Sequence, residues 1–312
     1  MPVQIDRRKL QEVSSLELFA RQVVEGFIVG MHKSPFHGFS VEFAEHRQYN
    51  PGDSTRHIDW KLYGRSEKLY LKKYEEETNL RARLIIDTSS SMYYPEEKTL
   101  KDGKFNKIKF SVYAAAALTE LLRRQRDAVG LSLFSETLGM HTECKTSVTH
   151  HRFLYERMEE LLLDEQAKKN SGTDLVQALH EIAEQTHRRS LVVLFSDMLD
   201  GEQSKSEALF EAMQHLRHNK HEVILFHVHD ARTEMEFEFE NRPYTFVDPE
   251  TGEELKVQPG EVKESYVKAV KAHMEEIKLR CSQYHIDFIT ADIQEGFNKV
   301  LISYLTKRSS MK

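Results

Sequence analysis

The stretch "LRARLIIDTSSS", residues 80–91, decides the fold prediction. Its apolar residues Leu84, Ile85 and Ile86 follow one another without polar alternation, as in a strand that is buried on both faces. An aspartate and four hydroxyl residues, Asp87 to Ser91, come directly after them. A buried strand that ends in oxygen donors is expected to present them to a ligand or an ion.

The same pattern continues along the rest of the chain, where apolar runs alternate with amphipathic helices. Strands are predicted at about 80–87, 128–135, 190–197, 222–228 and 286–292, with helices between them and one at the end. This alternation predicts an α/β fold with a doubly wound, mostly parallel sheet. Ligands bind such sheets at the carboxyl ends of the strands, near the point where strand order reverses. Asp87 and Asp197 both end a predicted strand, so we expect them on the same rim.

Two parts of the chain lie outside this alternation. Residues 1–79 are predicted to form a helix from about 14 to 31 and a small β element, packed on a main domain of residues 80–312. The second part is an acidic hairpin insertion at about 230–260, where "DPETGE" predicts a turn between two short strands. A surface hairpin with a solvated acidic face is favoured there over a docking surface.

Composition narrows the class of protein. Of the 312 residues 39% are hydrophobic, and glycine (13) and proline (7) are scarce, which predicts an ordered globular chain. The net charge of −6 gives no basic excess of the kind that nucleic-acid binding needs. Cys144 and Cys281 lack metal-type spacing, which favours a reducing compartment. The N-terminus shows no secretory signal, and no apolar run is long enough for a membrane span, so a cytoplasmic protein is expected.

Asp87, Ser89 and Ser91 form an Asp-x-Ser-x-Ser string that can direct one carboxylate and two hydroxyls at a common point. Hard oxygen donors of low total charge suit Mg²⁺, and Mn²⁺ by the same chemistry. Thr173, just before a predicted helix, and Asp197 are two further candidate ligands. Taken singly, Thr173 reads as a helix N-cap and Asp197 as a turn former. Together on one sheet, the five residues predict a metal site.

With these residues the chain resembles the von Willebrand factor A fold. The metal-ion-dependent adhesion site of that fold uses Asp-x-Ser-x-Ser with a threonine and an aspartate from two later loops. The resemblance implies that Ser89, Ser91 and Thr173 are direct or near-direct ligands, and that Asp87 and Asp197 hold coordinated waters. It also implies a sixth coordination position that a partner's carboxylate completes.

The N-terminal string "VEFAEHRQYNPGDSTRHIDWKLYGR" resembles the signature of the bacterial domain-of-unknown-function family 58. The matching positions are Glu42, Phe43, Arg47, Tyr49, Pro51, Gly52, Asp53, Arg56, Ile58, Asp59 and Trp60. This resemblance implies a MoxR-type AAA+ ATPase as partner, in a complex that acts like a chaperone on other proteins. Ser54 and Gly64 depart from the usual pattern of the family. Residues 93–106 also form a longer link to the first helix than usual, so the segment that covers the metal loop can differ from that of the family.

The alternative function is a metal-dependent phosphohydrolase that uses Asp87 as its nucleophile. That chemistry usually needs a second acid two residues later, and Ser89 stands there. A serine hydrolase is weaker still, because the Gly-x-Ser-x-Gly elbow is missing from the sequence. The histidine-rich segment "HTECKTSVTHH", residues 141–151, is predicted to be solvated surface because its spacing suits no zinc site. An extracellular adhesion domain conflicts with the missing export signal. A non-enzymatic, Mg²⁺-dependent binding module is the leading interpretation.

Overall fold

The computed structural model describes residues 15–32, 46–48, 60–66, 68–72, 80–96, 104–135, 137–163, 175–198, 206–248 and 251–310. The helices are α1 (Ser15–His32), α2 (Trp60–Ser66), α3 (Lys107–Arg124), α4 (Val148–Leu163), α5 (Leu175–Gln185), α6 (Ser206–His218), α7 (Pro259–Gln283) and α8 (Asn298–Ser310). The strands are β1 (His46–Gln48), β2 (Tyr70–Lys72), β3 (Arg81–Asp87), β4 (Ala128–Phe134), β5 (Leu138–His141), β6 (Leu191–Ser196), β7 (Glu222–His229), β8 (Tyr244–Val247), β9 (Glu254–Val257) and β10 (Asp287–Asp292).

The chain divides into two compact units, one of Met1–Glu25 with Leu80–Lys312 and one of Gly26–Asn79. In the smaller unit β1 pairs antiparallel with β2, and Arg47 lies opposite Leu71. The short helix α2 between these strands is an element that the sequence did not predict. The strand predicted around Val41 and Phe43 lies outside the described residues. That residues 1–79 as a whole pack on the main domain stays a prediction.

The larger unit is built on a six-stranded sheet with the order β10-β7-β6-β3-β4-β5. All neighbouring strands run parallel except β5, which pairs antiparallel with β4 at one edge. Every residue of β6 is buried, and in β3 only Arg81 is exposed, as expected for strands covered on both faces. The predicted fold class, an α/β fold with a doubly wound and mostly parallel sheet, is confirmed.

Helices cover the two faces of this sheet. One apolar cluster joins side chains of β3, β6 and β7 to α5, α6 and α7. Helices α3, α4 and α8 form the other layer. The first turns of α1 join that second layer, because the Leu16 N–H donates to Glu159 of α4 at 2.8 Å and the Phe19 ring lies 4.4 Å from that of Tyr113 in α3.

Strand order reverses between β3 and β6. The chain runs from β3 outward to β4 and β5, then crosses back to β6 on the opposite side of β3 and continues outward to β7 and β10. The connections that leave β3 and β6 therefore diverge to opposite sides and leave a crevice at the carboxyl ends of these two strands. Asp87 ends β3 and Asp197 directly follows β6, so both stand at this crevice.

The predicted hairpin insertion is present. Strands β8 and β9 pair antiparallel, with Phe246 opposite Leu255. A five-residue π-helical turn, Ala231–Met235, precedes it and was not predicted. One side of the hairpin packs through aromatic rings, since Phe237 and Phe246 lie 5.8 Å apart between ring centroids.

The histidine-rich segment at 141–151 is less exposed than its sequence suggested. His151 is only 3% exposed, and neither of its ring nitrogens has a hydrogen-bond partner among the described residues. Burial, together with the charges of His150 and Arg123, lowers the pKa of His151 to about 4. The imidazole is therefore neutral in the folded protein over the physiological pH range.

We expect His151→Phe to reduce the acid sensitivity of the protein. The folded pKa lies below the unfolded value of about 6.5, so the histidine's contribution to stability is present above that pH and is lost as pH falls towards 4, by about 1.4 kcal/mol per pH unit. Urea unfolding at about pH 8 and about pH 5 measures this loss. The variant should lose less stability than wild type, whereas His187→Phe, at an exposed histidine, should not. Equal losses in both variants would contradict the assignment.

Candidate metal centre

The carboxylate of Asp87 is held in place at the end of β3. It is 2% exposed, and its Oδ1 accepts the backbone N–H of Ser89 at 2.9 Å. Its Oδ2 accepts the hydroxyl of Ser196, the last residue of β6, at 2.7 Å. The two strands on either side of the crevice are therefore tied together through this one carboxylate.

The two serines of the Asp-x-Ser-x-Ser string converge as predicted. Both are buried, and their Oγ atoms lie 3.1 Å apart. A 3₁₀ turn at Ser90–Tyr93 bends the chain directly after the strand and brings the second hydroxyl back to the first. Thr88 fixes this loop to β4, because its N–H and its hydroxyl both donate to the Phe134 carbonyl, at 2.8 and 2.7 Å.

Asp197 stands across the crevice and is 2% exposed. Its Oδ2 accepts a hydrogen bond from the Lys107 ammonium at 2.8 Å. Lys107 is fully buried and also donates to Glu234 Oε1 at 2.6 Å. Burial alone would lower the pKa of Lys107, but the attraction of Asp197 and Glu234 outweighs it and raises the pKa, so the lysine is charged.

Lys107 and Glu234 are site residues that sequence reasoning missed. Lys107 is the first residue of α3, where a positive charge opposes the helix dipole and is unfavourable unless an acid compensates it. A lysine at the start of a predicted helix can be recognised in the sequence, but the sequence does not show which acid compensates its charge. Glu234 lies in the π-helical turn after β7, within the insertion that was predicted as solvated surface.

The electrostatics of the crevice favour a cation. Burial, together with the charge of Asp197, raises the pKa of Asp87 to about 7, against the lowering effect of its hydrogen bonds with Ser196 and Ser89. The crevice thus places the carboxylate of Asp87 near that of Asp197, and the Lys107 ammonium contacts Asp197 and Glu234.

His227 of β7 is a further buried group on this rim, placed opposite Ser196 in the strand register. Burial is the main cause that lowers its pKa, to about 3, and its Nδ1 has no hydrogen-bond partner among the described residues. The ring is therefore neutral and adds no positive charge to the crevice.

The residues in place fit a magnesium ion. Mg²⁺ takes six oxygens in near-ideal octahedral geometry at about 2.0–2.1 Å, so two adjacent ligands lie about 3 Å apart. The 3.1 Å between Ser89 Oγ and Ser91 Oγ matches that spacing. Asp87 and Asp197 both stand at this crevice, and Asp87 Oδ1 accepts the Ser89 N–H. Thr173, the remaining predicted ligand, lies outside the described residues. Among the described residues, no group of three or more histidine, cysteine, aspartate or glutamate side chains is placed to hold a metal ion.

Residues 45–276 match the family described as "Protein of unknown function DUF58". The chain belongs to this family. The match covers well over half of the sequence and includes the whole crevice, from Asp87 to Glu234. The relation suggested by the N-terminal string is thereby confirmed.

Curated relatives of this DUF58 protein include uncharacterized proteins of Mycobacterium bovis and Mycobacterium tuberculosis. Each is 26% identical to it over 196 residues, which is 62% of this chain and 59% of the relative. The match thus spans less than two thirds of those proteins' own length.

Similar solved structures include a conserved hypothetical protein BatB from Bacteroides thetaiotaomicron and the SpRpn10 VWA domain. The first is 12% identical, with a TM-score of 0.42, and the match covers 74% of this chain and 99% of that one. The second is 10% identical, with a TM-score of 0.35, and the match covers 72% and 94%. In the described part of this DUF58 protein, no helix has the length and apolar character needed to span a membrane.

Proposed function

We propose that this chain is a non-enzymatic, Mg²⁺-dependent protein-binding module that acts with a MoxR-type AAA+ ATPase in a chaperone-like complex. Mn²⁺ serves the same site, since it also prefers oxygen ligands. The client proteins of this complex are not identified by the sequence. The proposal places the complex in the cytoplasm.

One observation carries this proposal. Asp87, Ser89 and Ser91 converge at the strand-order reversal, with Asp197 across the crevice. Ser89 and Ser91 offer neutral oxygens, and Asp87 and Asp197 act through coordinated waters, so the protein alone holds the ion weakly. A carboxylate from another protein then strengthens the metal shell, and recognition depends on the ion.

The choice of partner rests on the resemblance of the N-terminal string to this family, which implies a MoxR-type ATPase as partner. An interaction role agrees with the von Willebrand factor A-like fold, whose site lies on the open rim of the sheet. A phosphohydrolase is less well supported, because the position that needs a second acid carries Ser89, whose N–H is turned to the Asp87 carboxylate.

The metal site is tested by the double substitution Ser89→Ala with Ser91→Ala. Wild type should show a rise in melting temperature with MgCl₂, because an ion that binds only the folded state stabilises it. The double variant should fold and lose that rise. Ser135→Ala, at the end of the neighbouring strand β4, is the matched control and should keep it. An undiminished rise in the double variant would exclude these serines as ligands.

The partner is tested by pull-down of a MoxR-type ATPase with Mg²⁺ and with EDTA. Asp87→Ala and Thr173→Ala should each weaken the complex by more than about tenfold, which corresponds to about 1.4 kcal/mol. EDTA should have the same effect on wild type. If neither EDTA nor the substitutions weaken binding of the ATPase, the metal-dependent mechanism is refuted. Phosphatase activity that is lost in Asp87→Asn would instead favour the alternative function.

A further inference from the structure

The buried ion cluster at the crevice has an unusual composition for a metal site, because it already contains a cation of its own. The Lys107 ammonium lies 2.8 Å from Asp197 Oδ2 and 2.6 Å from Glu234 Oε1. The lysine and Asp197 side chains are 1% and 2% exposed, so water screens their charges little. A metal ion bound by Ser89 and Ser91 would share the field of Asp197 with this ammonium.

Lys107 is also fixed firmly by its surroundings. As the first residue of α3, its backbone N–H donates to the Tyr94 carbonyl at 3.0 Å, and its ammonium lies 5.8 Å from the centre of the Tyr94 ring. An exposed lysine could turn its ammonium to solvent when a metal ion binds. The ammonium of Lys107 is held in the crevice instead.

Glu234 connects this cation to the insertion. Its Oε2 accepts the Asp230 N–H at 2.7 Å, at the start of the π-helical turn that leads to the hairpin. Asp230 itself accepts the Thr233 hydroxyl at 2.9 Å. The carboxylate that faces Lys107 is thus held by the turn, and it offsets part of the lysine's positive charge.

We propose that Lys107 is an internal counter-ion that keeps the affinity of the free protein for Mg²⁺ low, with Glu234 setting how much of its charge the metal experiences. This inference rests on the proposed metal site. Its consequence is that the metal is held firmly only when a partner adds its own carboxylate. Lys107 and Glu234 act through the electrostatic field and not as ligands.

The proposal predicts opposite effects from two substitutions in one ion pair. Lys107→Met removes a positive charge close to a doubly charged ion and should tighten Mg²⁺ binding by about tenfold or more. Glu234→Gln removes the charge that offsets the lysine and should weaken Mg²⁺ binding by about threefold or more. A purely structural role of the pair would weaken binding in both variants, since each would disturb the same geometry.

Isothermal titration of the metal-free full chain with MgCl₂ measures these affinities. Glu236→Gln is the matched control, because it makes the same change of charge at an exposed position two residues along the chain and should leave the affinity unchanged. If Lys107→Met does not fold, Lys107→Gln replaces it, because glutamine removes the same charge and can still donate a hydrogen bond to Asp197 or Glu234. Lys107→Gln should also tighten Mg²⁺ binding, whereas a purely structural role would weaken it.

The outcomes separate this inference from the proposed function. If wild type binds Mg²⁺ and Glu234→Gln behaves like Glu236→Gln, the counter-ion role is wrong while the metal site stands. Weaker binding in Lys107→Met would likewise overturn it. If neither wild type nor any of these variants binds Mg²⁺, the proposed metal site is refuted. The counter-ion role of Lys107 is then refuted as well.

Discussion

Lys107→Met should destabilise the metal-free protein by about 3–5 kcal/mol, the usual cost of removing one partner from a buried ion pair. Lys107 is fully buried, and its removal takes away the ammonium that lies 2.8 Å from Asp197 Oδ2, in a crevice that also holds Asp87. Asp197 cannot turn to solvent, because it is 2% exposed. Urea unfolding in the presence of EDTA measures the loss.

Two further variants test the cause of this loss. Lys104→Met removes an exposed lysine three residues earlier and should change stability by less than about 0.5 kcal/mol. Adding Asp197→Asn to Lys107→Met removes the carboxylate that paired with the lysine and should restore part of the stability. A loss of less than about 1 kcal/mol in Lys107→Met would show that the ion pair is not the buried one described above.

Gly130→Val should destabilise the protein by about 3 kcal/mol, since it combines overpacking with the disturbance of a charged hydrogen-bond donor. Gly130 lies in β4 beside Arg83 of β3, and a Cβ at this position would stand 2.7 Å from Arg83 Nη1 and 2.9 Å from Cys144 Sγ. The Arg83 guanidinium is buried and donates to the carbonyls of Leu131 and Thr142. Moving the guanidinium away from a new Cβ would lengthen its hydrogen bonds to these acceptors.

Gly139→Val is the matched control for this substitution. Gly139 lies in the neighbouring strand β5, and among the described residues a Cβ there would meet only the Leu133 carbonyl oxygen, at an ordinary 3.6 Å. The exposed edge position should tolerate valine with a change below about 0.5 kcal/mol. Arg83→Met in the Gly130→Ala background should recover stability relative to Gly130→Ala alone, because methionine adapts to the smaller space. If Gly130→Val is no worse than Gly139→Val, close approach to Arg83 does not constrain this position.

The parallel sheet was predictable because its strands have a strong local pattern. Residues 191–196 are apolar at nearly every position, and the structure buries all of them. Strand β5 was not predicted, because its four residues, "LGMH", have too little apolar character and too short a length to stand out from a loop. Its position at the edge of the sheet comes from pairing with β4, which no local pattern encodes.

The candidate site was predictable only in part. Asp87, Ser89 and Ser91 are neighbours in sequence, and Asp197 follows from the rule that parallel strands end at the same edge. The ion pairs of Lys107 join residues 90 and 127 positions apart, and no spacing in the sequence indicates them. The same holds for Ser196, whose bond to Asp87 spans 109 positions. Long-range contacts between single side chains depend on the finished packing.

The burial of Lys107 has a consequence for the order in which the molecule is made. Its acidic partners, Asp197 and Glu234, are synthesised long after the lysine itself. Until both acidic residues have emerged from the ribosome, packing α3 in its native position would bury the Lys107 ammonium without its acidic partners. Burying such a charge is strongly unfavourable. A nascent chain that ends after β5 should therefore keep α3 loosely attached, and the rim cannot capture a partner before the turn after β7 has emerged.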